Sequence, residues 1–150
     1  MKRVALVVGA LVLGTAAVMA QQDVAVTQQN LMKTSLGKPM YGVLGKMLKG
    51  DIAYDQAAVD TALTDMEAEV TKIADVFKPN PKEQVKNATY GSSQKIWQNK
   101  ADFDSKISAV VKALADQKGK IKDAETLKVS FNAIQDKCNG CHDDYRLKLK

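Results

Sequence analysis

Apolar residues recur at steps of three and four along three segments of this chain, and this period most constrains its fold. The segments cover 59–77, 103–114 and 127–145. A helix turns once every ~3.6 residues, so these steps predict helices that each bury one apolar stripe. Strand-like alternation is almost absent. A fourth, less regular stripe lies in 23–48, where Pro39 predicts a kink or, as the alternative, a break in the helix.

The breaks between the helices are plain in the sequence. Gly50 and Gly119 close the first and third helices, and Pro79 stops the second. Asp123 can cap the start of the fourth helix. Four long helices with mostly short links predict an all-α protein, an antiparallel up-down-up-down four-helix bundle.

Residues 1–20 have the pattern of a secretory signal peptide, with Lys2 and Arg3, an apolar run, and small residues up to Ala20. The run is shorter than the ~20 residues of a membrane span. We therefore expect cleavage after Ala20, a single domain over 21–150, and export to a bacterial periplasm without stable membrane insertion. Removal of Lys2 and Arg3 lowers the formal net charge from +5 to +3, a basic excess too small to indicate a nucleic-acid partner.

Both cysteines of the chain and its only histidine lie in the sequence CNGCH, residues 138–142. Cys138 and Cys141 continue the apolar stripe of the last helix, and His142 lies one turn beyond Cys138, so all three should face the bundle interior. Several interpretations fit this spacing. A disulfide would bridge only one helical turn, and a thioredoxin-like dithiol would need a helix N-terminus. A zinc site would need a carboxylate or a second subunit to supply its fourth ligand.

Covalent haem accounts for all three side chains. In C-x-x-C-H the thiols add to the vinyl groups of the porphyrin, and the adjacent histidine binds the iron from one side. Cys138 and Cys141 are one turn apart and can reach one porphyrin edge, while Asn139 and Gly140 add little bulk between them. The sequence therefore predicts one haem c, attached near the C-terminus of the last helix.

A haem motif on the last helix of a bundle, here CNGCHDDYR, resembles the class II cytochromes c, the cytochrome c′ superfamily. The resemblance covers the whole predicted mature chain and includes LMK in the first helix and IW at 96–97 before Phe103. It implies two alternatives. Low-spin members of the cytochrome c-556 type use a first-helix methionine as sixth ligand and transfer electrons. High-spin cytochromes c′ are five-coordinate and bind NO or CO as gas scavengers or sensors.

The choice between these alternatives depends on Met32. In an antiparallel bundle the start of the first helix lies beside the end of the fourth, and Met32 and His142 lie at nearly the same level along the bundle. We therefore expect His142 and Met32 to be the two axial ligands of a low-spin iron. The expected function is that of a periplasmic monohaem electron carrier serving redox partner proteins. No acid–base pair indicates an enzyme.

Other residues at this end of the bundle are candidates for haem contacts. The same topology predicts that Trp97 walls the porphyrin, that Tyr145 continues the buried stripe, and that Arg146 either contacts the haem or caps the helix. The resemblance adds Gln28, which stands where many family members have an arginine near a haem propionate. Gln28 could donate a hydrogen bond there but could not neutralise the charge. The resemblance also implies homodimers formed through the first two helices.

Overall fold

The computed structural model describes residues 23–150, and the predicted signal peptide lies outside this range. Four helices form a bundle: α1 (23–49), α2 (Gln56–Val70), α3 (Lys100–Gln117) and α4 (Ala124–Tyr145). Each helix packs on the next, and α4 returns to α1. The predicted all-α four-helix bundle is confirmed. Across the described residues, no helix combines the length and apolar composition that a bilayer crossing demands.

The apolar stripes meet along the bundle axis and form its core. Val59, Leu63 and Val70 of α2 are at most 2% exposed, and Phe103 and Leu114 of α3 are each 1% exposed. Burial of an aliphatic or phenyl side chain of this size contributes about 1.5–3 kcal/mol. The period of the sequence therefore determines which face of each helix turns inward.

Side-chain caps set the start of two helices. Asp55 accepts the Ala58 N–H at 2.9 Å and opens α2. Asp123 accepts the Thr126 N–H at 2.8 Å, while the Thr126 hydroxyl accepts the Asp123 N–H at 3.1 Å, which makes a reciprocal capping box at α4. Gly50 ends α1 with a φ of 75°, a left-handed conformation that glycine adopts without strain.

Helix α1 continues through Pro39, so the alternative of a break is wrong. The helix widens into two π-helical segments, Leu31–Leu36 and Lys38–Leu44. In the first of these, the Gly37 N–H donates to the Met32 carbonyl, five residues back. Pro39 lies in the first turn of the second segment. Proline has no backbone N–H to donate, and the wider π-helical turns let the helix continue past it.

The segment between α2 and α3 contains two single helical turns, Ile73–Val76 and Lys95–Gln98, and a short strand, β1 (Tyr90–Ser92). Strand β1 pairs antiparallel with β2 (Arg146–Lys148), which directly follows α4. The sequence predicts no strand here, because three residues are too few to show an alternating pattern. This ribbon fastens the long loop to the end of α4.

Candidate functional site

A cavity of about 730 Å³ lies at the end of the bundle where α1 begins and α4 ends. Its volume falls within the ~300–1,000 Å³ typical of sites for small molecules and cofactors. Residues 84–92 of the long loop cover one side of it. Apolar side chains from the helices and the loop supply a surface suited to an apolar cofactor: Ala25, Met32, Phe77, Val85, Ile96 and Phe103.

The two cysteines of α4 are free thiols in partly buried positions. Cys141 lines the cavity, and Cys138 lies one turn earlier, packed against the core. Burial raises the pKa of Cys138, and burial likewise raises the pKa of Cys141 to about 11. Both thiols are therefore protonated at neutral pH. A catalytic dithiol needs a ready thiolate, so these positions argue against the thioredoxin-like interpretation.

His142 lines the cavity beside Cys141. Burial, and secondly the positive charge of Arg146, holds the pKa of the imidazole below its usual range. His142 is therefore neutral at pH 7, which is the form that binds metal. No three side chains of the His, Cys, Asp or Glu types assemble into a metal site within residues 23–150. The zinc interpretation thus gains no further ligand from the fold.

Met32 lines the same cavity from α1. The fold thus brings together two residues that are 110 positions apart in the chain, Met32 and His142. Met40, Met47 and Met66 are buried in the core and do not line the cavity. Within the described part of the chain, Met32 is the one methionine that a cofactor in this cavity could reach.

Three aromatic side chains pack together in the cavity wall: Phe77, Phe103 and Tyr145. The Phe77 and Phe103 ring centroids are 5.7 Å apart, and Tyr145 meets Phe103 edge-on at 5.1 Å. The Tyr145 hydroxyl donates to Oδ2 of Asp102 at 2.6 Å. Burial, and then the bond to Asp102, raises the pKa of Tyr145 to about 12. Tyr145 therefore acts as a neutral donor that ties α4 to α3 one turn after His142.

Lys106 of α3 holds the turn of α4 that carries the cysteines and the histidine. Its Nζ donates to the Gly140 carbonyl at 3.0 Å and forms an ion pair with Oδ2 of Asp144 at 2.7 Å. The hydrogen bond to Asp144 raises the pKa of Lys106 and lowers the pKa of Asp144. This lysine was not among the predicted site residues. Its position three residues after Phe103, at the border of the buried stripe, was the available signal.

The loop over the cavity is shaped by Gln84. Its side-chain amide donates to the Ser92 carbonyl at 2.9 Å, and its carbonyl oxygen accepts the Ser92 N–H at 3.0 Å. On the other side, the Arg146 guanidinium lies over the Tyr90 ring, 4.5 Å from its centroid. The loop is therefore held by the Gln84–Ser92 hydrogen bonds and by the Arg146–Tyr90 contact, and it forms one wall of the site. No residue pattern in the sequence analysis predicted this wall.

Gln28 and Trp97 are held close to the cavity but do not line it. Gln28 is only 1% exposed, and its amide donates to the carbonyls of Val76 at 3.2 Å and Pro79 at 2.9 Å. The indole N–H of Trp97 donates to the Phe77 carbonyl at 2.8 Å. Their protein partners give both residues a role in fastening residues 76–79, at the end of the single turn Ile73–Val76. Direct contact of either residue with a haem stays a prediction.

Comparison with known proteins places the chain among haem proteins. Residues 17–146 match the family described as Cytochrome C'. Cytochrome c-555 of Bradyrhizobium diazoefficiens is 57% identical over 150 residues, 100% of both chains. Cytochrome c-556 of Rhodopseudomonas palustris is 43% identical over 150 residues, 99% of both chains.

Solved structures agree with the fold. The structural model for oxidised cytochrome c556 of R. palustris superimposes with a TM-score of 0.73 at 37% identity, covering 86% of this chain and 99% of that one. Cytochrome c' of R. palustris superimposes with a TM-score of 0.73 at 29% identity, covering 85% of this chain and 98% of that one.

The residues around the cavity fit one haem c. Free thiols one helical turn apart, a neutral imidazole beside them and an apolar wall provide the attachment points, a metal ligand and a surface for the porphyrin. Cys138 and Cys141 are the two cysteines of the chain and carry the thioether bonds. The predicted cofactor is thus confirmed.

Proposed function

Because the chain belongs to the cytochrome c′ family and is a monohaem cytochrome, we propose that it transfers single electrons with a low-spin iron held by His142 and Met32. The observation that supports this proposal best is the presence of Met32 and His142 in the wall of one cavity, on α1 and α4. The names of the c-555 and c-556 relatives point to the same branch of the family.

The bound haem supplies a one-electron couple, and residues of the chain set its reduction potential. A thioether ligand favours ferrous iron, so Met32 would raise the reduction potential relative to a second nitrogen ligand. The His142 imidazole is neutral at pH 7, so it does not have to lose a proton before it binds iron. The aromatic cluster of Phe77, Phe103 and Tyr145 gives the inner wall a largely apolar surface.

We propose that the protein works in the periplasm as residues 21–150. The support for this is the signal-like pattern of residues 1–20 and the chemistry of haem attachment, which requires reduced thiols and takes place outside the cytoplasm for this class of cytochrome. Purification from the periplasmic fraction, at the mass of residues 21–150 plus one haem, tests both the location and the cleavage.

Replacement of Met32 tests the ligand assignment. We expect Met32→Leu to lose the methionine–iron charge-transfer band of the oxidised protein and to become high-spin, because leucine cannot donate a lone pair to iron. The change conserves side-chain volume, so packing alone should cost less than ~1.5 kcal/mol of stability, and any further loss reports the missing iron–sulfur bond. The absorption spectrum is measured beside that of Met40→Leu, a matched change in the buried core, which should stay low-spin.

A wild-type protein with broad high-spin bands would overturn the electron-transfer proposal. It would favour the alternative, a five-coordinate haem that binds NO or CO. A low-spin spectrum that survives Met32→Leu would show that another residue is the sixth ligand.

A further inference from the structure

The charged side chains that line the cavity are all basic. We propose that the mouth of the cavity is the docking surface for an electron-transfer partner with an acidic surface around its own redox centre. This inference rests on the proposed electron-transfer function and adds the class of partner. The cations that form this basic rim are Lys33, Lys38, Lys86 and Arg146.

The basic rim is built from three separate parts of the fold. Lys33 and Lys38 lie on α1, Lys86 lies in the loop, and Arg146 follows α4. All four side chains belong to exposed residues although they line the cavity, so they lie at its mouth. The fold thus gathers positive charge that is dispersed along the sequence.

Among residues 23–150, none of the four cations of the basic rim takes part in an ion pair. The lining of the cavity includes no Asp or Glu, and the ion pairs found among residues 23–150 involve other lysines. The two propionates of a bound haem could neutralise at most two of the four cations. A positive excess therefore remains at the mouth, where it would attract a negatively charged partner and raise the association rate.

Two exposed tyrosines accompany the cations. Tyr41 is 50% exposed and Tyr90 is 46% exposed, and both line the cavity. The other two tyrosines, Tyr54 and Tyr145, are half-buried or buried. Tyrosine and arginine are enriched at protein interfaces, because they combine apolar area with hydrogen-bonding ends. Aromatic rings among basic groups therefore favour a protein surface as the occupant.

The sign of the potential at the mouth can be measured with small oxidants. Reduced protein is mixed with the trianion hexacyanoferrate(III) and, separately, with the trication tris(phenanthroline)cobalt(III), over a range of ionic strength. We expect the anion to react at a rate that falls with added salt and the cation at a rate that rises. The triple variant Lys33→Gln/Lys38→Gln/Lys86→Gln should lose roughly tenfold in rate with the anion at low salt.

The matched control removes the same net charge elsewhere. Lys46, Lys49 and Lys128 are exposed, lie outside the cavity lining and form none of the ion pairs, so their triple Gln variant should change the anion rate by less than about twofold. Equal losses in the two triple variants would overturn the proposal, since net charge alone would then govern the rate. A high-spin spectrum would instead refute the proposed function, before any rate is measured.

A second measurement tests for a protein partner directly. Poly-L-glutamate should shift the NMR signals of the basic rim and its tyrosines, and the rim variant should weaken this binding while the control variant should not. Binding to vesicles of anionic phospholipid, without any effect of polyglutamate, would assign the surface to a membrane and overturn the proposal.

Discussion

Lys106 places a positive charge beside the turn that carries Cys141 and His142, and Asp144 forms an ion pair with it. Reduction lowers the charge at iron by one unit, so a nearby cation favours the reduced state and a nearby anion opposes it. We predict that Lys106→Gln lowers the reduction potential and that Asp144→Asn raises it, each on the order of tens of millivolts, where ~59 mV is a factor of ten for one electron. Redox titration measures both changes.

The opposite signs separate an electrostatic role from a structural one. If the ion pair merely held α3 to α4, both substitutions would loosen the same contact and move the potential in the same direction. Lys112 and Asp116 form an exposed pair near the other end of α3 and provide the control. Substituting either of them should leave the potential unchanged within a few millivolts, because salt screens exposed charges beyond about 10 Å.

Single residues differ in how far the sequence reveals them. Cys138, Cys141 and His142 were predictable because their chemistry requires fixed neighbours in the chain. The position of Met32 in the cavity wall was predictable from its level along the bundle, while its role as a ligand stays a prediction. The hydrogen-bond partners of Lys106 and Gln28 were not predictable, because they depend on how neighbouring helices rotate about their axes. That rotation is set by packing of many side chains and not by any local pattern.

At the level of elements, the loop over the cavity depends on one glycine. A Cβ at Gly91 would lie 2.8 Å from Cδ of Gln84, which two hydrogen bonds to Ser92 hold in place. We predict that Gly91→Ala displaces Gln84 and lowers the free energy of unfolding by about 1–3 kcal/mol. Denaturant unfolding of the haem-containing protein measures the change.

A double-mutant cycle with Gln84→Ala isolates the contact. Once Gln84 is shortened, the clash is relieved, and adding Gly91→Ala should then cost much less than in the wild type. Additive losses in the double variant would contradict this explanation. The remaining close neighbour of the added Cβ, Cδ1 of Leu149 at 3.1 Å, lies at the tip of a flexible side chain.

The long helices were predictable because each repeats its apolar stripe over several turns. The start of α4 was predictable because Asp123 is a favourable N-cap residue. The β1–β2 ribbon was not predictable, since its strands are three residues long and Ser92 is 54 positions from its partner Arg146. The π-helical segments on either side of Gly37, near Pro39, were likewise not predictable from the sequence. Proline predicts that a hydrogen bond is lost, but several distortions can accommodate that loss.

For the whole molecule, the cofactor should act as part of the core. The variant Cys138→Ala/Cys141→Ala cannot attach haem, and its apolar cavity would stand open to water. A tightly held ligand stabilises a fold by about 3–4 kcal/mol, so we predict that Tm falls by roughly 10 °C. Thermal unfolding followed by circular dichroism measures this, and Met32→Leu serves as a control that keeps the covalent haem.

Hydrogen exchange should show where the loss of stability occurs. Protection should fall in the loop over the cavity and in the β1–β2 ribbon, while Val59, Leu114 and Leu127 at the far end of the bundle keep theirs. Uniform loss of protection would contradict this prediction, and it would mean that the two ends of the bundle unfold as one unit.

The pairing of β1 with β2 has a consequence for biogenesis. Strand β2 begins four residues after His142, so the ribbon fastens the loop to the end of α4 that carries the cysteines and the histidine. An unpaired ribbon would leave the loop side of the cavity open, so a porphyrin would enter most easily before β1 and β2 pair. Pairing of the ribbon would then complete the wall around the attached haem.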